Sequence, residues 1–289
     1  MTLISSLAVS STPTHPGELP HRSSDASGDM RAPMREAAYY LENHVGPHPL
    51  AGIKPWLEHG DVPQGTIVNS GDLAAGGEVT AALIEHSSQL WGAADHVSVA
   101  LAWKTYCYWS VLPSVLGFVS AHRVPLWNPE EAHFVIGRES PLFSLHLGDP
   151  KFAVLADDPL ASHPAAVVMK DHQELLDAMR ATLFDGHLEV VMSALRQQAR
   201  IGRRNLLGSL ASGICYAVAC CAEASHVSSE AIAAELLEAF DVAHLVDISS
   251  DEFGKLTYRR HTCCLAFTLE GRNVCSTCCL PEAGQSACG

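Results

Sequence analysis

The chain carries 10 cysteines, and their placement is uneven. Cys107, Cys215, Cys220 and Cys221 sit in apolar segments, whereas Cys263, Cys264, Cys275, Cys278, Cys279 and Cys288 crowd into residues 263–289. The crowded segment reads CC-x10-C-x2-C, from Cys263-Cys264 to Cys275-Ser276-Thr277-Cys278. A C-x-x-C spacing lets two thiolates face one metal centre. Adjacent cysteines are less usual ligands, because neighbouring side chains on a strand point to opposite faces. Cys263 and Cys264 must therefore bend the chain if both bind. A two-iron cluster presents separated iron atoms and accepts this spacing more readily than one tetrahedral ion does. The same sulfurs could instead close a structural zinc knuckle or a reducible disulfide. Cys279 directly follows Cys278 and competes with it as a ligand, and Cys288 reads as a tail thiol.

The residues between the pairs suggest how they meet. Leu265 to Leu269 favour a strand, Glu270-Gly271-Arg272-Asn273 resemble a turn, and Val274 begins an antiparallel return. Such a hairpin would bring both cysteine pairs to its open end. Arg259, Arg260 and Arg272 flank them. Positive charge beside four thiolates favours the more negative, reduced form of a cluster. The plainer reading makes them solvated surface arginines.

Stepping along the chain, residues 1–30 are rich in Ser, Pro, Thr and His and are expected to form a disordered tail. Met34 to His44 reads as a helix, and Val45 to Gly77 as an irregular Gly/Pro-rich connection around Trp56. Val79, Ala82, Leu83, His86 and Leu90 follow one helical face, and Val97 to Trp109 continues in that style until Pro113 interrupts it. Short apolar runs from Val124 to Leu155 suggest two to four antiparallel strands. Helical patterning returns at Asp171–Phe184, Leu188–Arg200, Leu206–Ala222 and Ser228–Ala243, with Ser228 or Ser229 as N-cap of the last. The expected fold is α+β: a mostly helical body with a small antiparallel sheet and a C-terminal cysteine-rich iron-sulfur hairpin. The expected divisions are 1–30 as tail, 31–255 as body and 256–289 as the cluster-binding module.

Composition bounds the partners. The 289 residues are 47% hydrophobic and 17% charged, enough for a sizeable core. Eighteen Lys and Arg against 32 Asp and Glu give a net charge of -14, which argues against general nucleic-acid binding. The N-terminus lacks a cationic region and a long apolar run, so a cytoplasmic location is expected. Thr105–Ala121 and Asn205–Ala222 are uncharged but short for spanning helices, and read as buried core; peripheral membrane association stays open. Cytosolic thiols are kept reduced, which argues against a disulfide framework. Cys107, Cys215, Cys220 and Cys221 read as core packing, and the 16 histidines are scattered without an H-E-x-x-H motif. No G-x-G-x-x-G, P-loop or G-x-S-x-G motif is present, so any electron donor is expected to be external.

The CC-x10-C-x2-C ending, with Arg259 and Arg260 just before the paired cysteines, resembles the FhuF-type ferric-siderophore reductases. Trp103 to Leu126 (WKTYCYWSVLPSVLGFVSAHRVPL) is similar to that family's aromatic, proline-containing helical region. The resemblance implies a [2Fe-2S] cluster on Cys263, Cys264, Cys275 and Cys278, and one-electron reduction of an iron(III)-siderophore complex in the cytoplasm. Hydroxamate-type siderophores suit this chemistry, because hard oxygen donors hold Fe(III) tightly and Fe(II) weakly. A second reading keeps the cluster, or a zinc ion, as a structural or sensing element in a siderophore-associated interaction protein.

Overall fold

A computed structural model describes residues 28–44, 50–59, 66–136, 143–221, 227–270 and 277–280. Of the expected tail at 1–30, residues 1–27 lie outside them, as does Cys275, while Met30 is buried. The chain is α+β and mostly helical, with small sheets.

Helix α1 (Ala32–His44) buries Met34, Ala37, Ala38 and Leu41, the i, i+3, i+4, i+7 stripe of an amphipathic helix. The stretch expected to be irregular contains α2 (Lys54–Leu57), β1 (Thr66–Asn69) and α3 (Ser70–Ala75). The Asn69 side chain starts α3 by accepting from the Gly71 and Asp72 amides. Helix α4 (Glu78–Trp91) is present, but its buried face is Thr80, Leu83, Ile84 and Ser87, while Leu90 is exposed.

The centre of the fold is α5 (Asp95–Ala121), 27 residues buried nearly all round. Pro113 does not end it. Proline removes one ladder hydrogen bond, yet packing on every side holds the helical path, and the Ser110 hydroxyl back-bonds to the Tyr106 carbonyl at 2.8 Å one turn earlier. Strands β2 (Val124–Pro125), β3 (His133–Ile136), β4 (Phe143–His146), β5 (Phe152–Leu155) and β6 (Ala166–Met169) follow. They form two sheets: β1-β3-β4, wholly antiparallel, and β2-β5-β6, in which β5 and β6 run parallel.

Helix α6 (His172–Met179), capped by Asp171, does not stop before α7 (Glu189–Gln198). A π-helix over Arg180–Leu188 joins them and absorbs Asp185-Gly186, where a break was expected. It carries the buried His187, whose Nε2 lies 2.8 Å from the Tyr106 hydroxyl of α5; that hydroxyl donates to Ser70 Oγ at 3.2 Å. Helix α8 (Arg203–Cys221) packs along α5, so Cys107, Cys215, Cys220 and Cys221 lie in the core. Among the described residues, no helix is long and apolar enough to cross a membrane. Ser228 caps α9 (Ser229–Ala239), and an antiparallel hairpin of β7 (Val246–Ser250) and β8 (Leu256–Arg260) leads into the cysteines.

Candidate metal centre

Two anchors fix the ground on which the cysteine segment lies. The Trp103 indole of α5 donates to the Leu206 carbonyl at 2.8 Å, tying the first turns of α8 to the central helix. The β7–β8 turn is then closed by Asp251, whose carboxylate accepts from the Phe253 and Lys255 amides, with Gly254 at φ 77.

From β8 onward the period of two decides which side chains meet α8. Leu256, Arg260, Thr262 and Cys264 are buried and Tyr258 is partly so, whereas Thr257, Arg259 and His261 are exposed and Cys263 is half-buried. On the inner row, the Tyr258 hydroxyl bonds Ser212 and Arg260 Nη2 donates to Ser209 Oγ at 3.1 Å. Thr262 rests on Gly208, where an added Cβ would come within 1.8 Å of Thr262 Oγ1. Glycine is required there by close approach rather than by backbone angle. Cys264, 4% exposed, continues this row inward.

The chain then departs from the expected hairpin. Leu265 adopts a left-handed conformation (φ 63), and Ala266–Thr268 form a 3-10 turn where a strand was expected. The Thr268 hydroxyl donates to the Leu265 carbonyl at 2.7 Å and closes this turn locally. Gly271 to Val274, the remainder of the expected hairpin, lie outside the described residues. The return is made instead at Thr277, whose carbonyl accepts from the Arg260 amide at 3.0 Å, while the next amide, His261, bonds the Leu245 carbonyl at 2.9 Å.

That contact delivers Cys278 and Cys279 beside Cys263 and Cys264. Burial raises the Cys263 thiol pKa, the Leu265 amide opposes the rise, and Cys264, Cys279 and Cys278 raise it further by mutual repulsion. Burial also raises Cys279, helped by Cys278 and opposed by the Arg260 charge. Both Cys-Cys-Leu sequences make the same contact: the Leu265 amide donates to Cys263 Sγ at 3.3 Å, and the Leu280 amide to Cys278 Sγ at 3.4 Å. Amide donors on sulfur stabilise the thiolate, the form in which cysteine binds metal.

The described cysteines are all free thiols. Among the described residues, no three His, Cys, Asp or Glu donors are grouped so as to hold a metal ion as they stand. Cys263, Cys264 and Cys278 of the expected ligand set lie in one neighbourhood, and Cys279 shares it. Thiolate donors, amide hydrogens on sulfur and the buried Arg260 cation suit an anionic four-thiolate centre. Sequence reasoning missed the roles of Ser209, Gly208 and Thr262. The signal was the alternation from Leu256 through Cys264, which extends the strand pattern into the cysteine pair.

Comparison with family models, with curated proteins and with solved structures finds no match for this chain.

Proposed function

We propose that this chain is a cytoplasmic ferric-siderophore reductase that holds a [2Fe-2S] cluster on Cys263, Cys264, Cys275 and Cys278. The observation that carries the reading is the meeting of the two Cys-Cys-Leu turns, each with a backbone amide on its first sulfur. The likeness of the CC-x10-C-x2-C ending to FhuF-type reductases supplies the substrate. When bound, the cluster supplies a one-electron carrier between an external donor and the ferric complex.

The chain's own part is placement. Cys264 and Arg260 face the interior, while Cys263, Cys278 and Cys279 keep partial contact with solvent. In this reading the less buried sulfurs are the ones that meet the donor and the siderophore complex. One electron leaves the donor and converts Fe(III) to Fe(II), which hydroxamate oxygens hold less tightly. No bond of the siderophore need break.

The test is anaerobic purification with iron, sulfide and zinc analysis and electron paramagnetic resonance. The reduced protein is then mixed with hydroxamate and catecholate ferric siderophores in the presence of a ferrous chelator. Iron and sulfide in equal amounts, with cluster reoxidation matched by Fe(II) capture, is the expected result. Zinc without sulfide defeats the cluster, and a cluster inert towards every ferric complex defeats the reductase. Single Cys→Ser variants at Cys263, Cys264, Cys275 and Cys278 should each lose most of the cluster. Loss at Cys279 with retention at Cys278 reverses that part of the ligand assignment.

A further inference from the structure

Arg260 is 2% exposed, and among the described residues its Nε and Nη1 have no hydrogen-bond partner. Only Nη2 is engaged, by the neutral Ser209 hydroxyl. No carboxylate among the described residues forms an ion pair with it. A buried guanidinium is costly unless an opposite charge faces it. Its own amide donates to the carbonyl of Thr277, the residue before Cys278, at 3.0 Å, so the returning cysteine segment passes the strand position that carries the guanidinium, and the thiols of that segment are the groups able to become anionic. The neighbouring Arg259, on the opposite face of β8, is exposed.

We infer that Arg260 is the built-in counter-cation of the cysteine centre, a positioning residue whose buried charge raises the reduction potential of the bound cluster. The inference rests on the cluster reading above. A four-thiolate [2Fe-2S] centre gains one negative charge on reduction, so a fixed positive charge nearby stabilises the reduced form more than the oxidised form. Guanidinium suits the position because it stays charged at every working pH and is more weakly hydrated than an ammonium. Ser209 holds one end of the fork on α8, leaving the remaining donors free to face sulfur. Through this residue the body of the protein sets the driving force available to the centre.

The experiment is a spectroscopic redox titration of the cluster-loaded full chain as wild type, R260Q, R260K and R259Q. At a fixed donor potential, R260Q should lower the reduced-to-oxidised ratio about tenfold or more, equivalent to about 59 mV for a one-electron couple. R260K should recover most of that loss, and R259Q should change the ratio by less than about twofold. An R260Q ratio equal to wild type, or an R259Q shift as large as that of R260Q, overturns the inference. If R260Q folds by circular dichroism without holding a cluster, retention becomes the readout, with R260M added. Retention by R260K and loss by R260M support the need for charge; equal loss by both, or unfolding of all three variants, overturns it. Iron and sulfide analysis of the wild type separates the two levels. Absence of sulfide defeats the cluster reading, whereas a normal cluster with an unmoved potential defeats only the role of Arg260.

Discussion

Replacing Gly208 by alanine tests whether the cysteine segment lies on α8 as described. In the interior of a helix this change ordinarily stabilises by about 1 kcal/mol, because alanine is the better helix former. Here the new Cβ would lie 1.8 Å from Thr262 Oγ1, 2.8 Å from Thr262 Cβ and 2.9 Å from Cγ2. Rotating the side chain moves the oxygen but leaves Thr262 Cβ in place. The Thr262 backbone must therefore retreat by about 0.6 Å to restore a contact of 3.4 Å. Overpacking of this kind costs about 1–3 kcal/mol. The net expectation is a loss of about 1 kcal/mol, or roughly 2–4 °C in Tm for a chain of this size.

The same helix provides its own control. At Gly213 an added Cβ meets only the Tyr108 backbone, at 3.8 and 3.9 Å, an ordinary contact. Gly213→Ala should therefore raise Tm by a few degrees while Gly208→Ala lowers it. Thermal and urea unfolding of the two variants give the signs. Thr262 immediately precedes Cys263, and metal sites tolerate displacements of only about 0.5 Å, so under the proposed cluster reading Gly208→Ala should also lose most of the iron while Gly213→Ala keeps it. A rise in Tm for both, with iron content unchanged, would refute the described packing of the cysteine segment on α8.

Two pH predictions come from histidines. Burial lowers the His187 pKa to about 3, below its unfolded value of 6.5, so the unfolded state binds the extra proton between these limits. Stability is then full above pH 6.5 and falls on acidification towards pH 3 by about 1.4 kcal/mol per unit. His187→Gln should flatten urea-derived stability over that window by about one proton's worth, and an unchanged slope counts against a buried neutral His187. His261 is raised by its hydrogen bond to Asp247 Oδ2 at 2.8 Å and by the His244 carbonyl. Its stabilising contribution is present below pH 6.5 and lost as pH rises through the folded value. Asp247→Asn should move the nuclear magnetic resonance titration of His261 towards lower pH; no movement would mean that the pair does not form in solution.

The helical half of the fold was legible because its signals are local. The apolar stripe of α1, the Ser228 cap and the uncharged runs of α5 and α8 each act within a few turns of chain. Elsewhere tertiary packing overrode the local signal. Pro113 reads as a stop but sits inside α5, where burial on all sides leaves the chain no better path. Asp185-Gly186 reads as a break but is taken up by a π-helix that places His187 against Tyr106. In α4, Val79 and Leu90 suggest one face, while contact with α3 and α5 selects the neighbouring one. Strand β6 was not anticipated because its pairing with β5 is parallel and joins distant residues.

The cysteine region divides along the same line. Its cysteines and their spacing are plain in the sequence, but the strand expected from Leu265 is replaced by a left-handed residue and a 3-10 turn. The tight turn instead places the Leu265 amide on the Cys263 sulfur, and the same hydrogen bond recurs between Leu280 and Cys278. The turn thus gives Cys263 an amide partner while Cys263 and Cys264 keep the alternation of the strand. Alternation persists far enough to send Cys264 inward on the row of Arg260 and Thr262, and the left-handed residue comes only after it. The first cysteine of each pair thereby receives an amide hydrogen. In the second pair its neighbour, Cys279, also feels the charge of the buried Arg260, so those two sulfurs have unequal electrostatic surroundings.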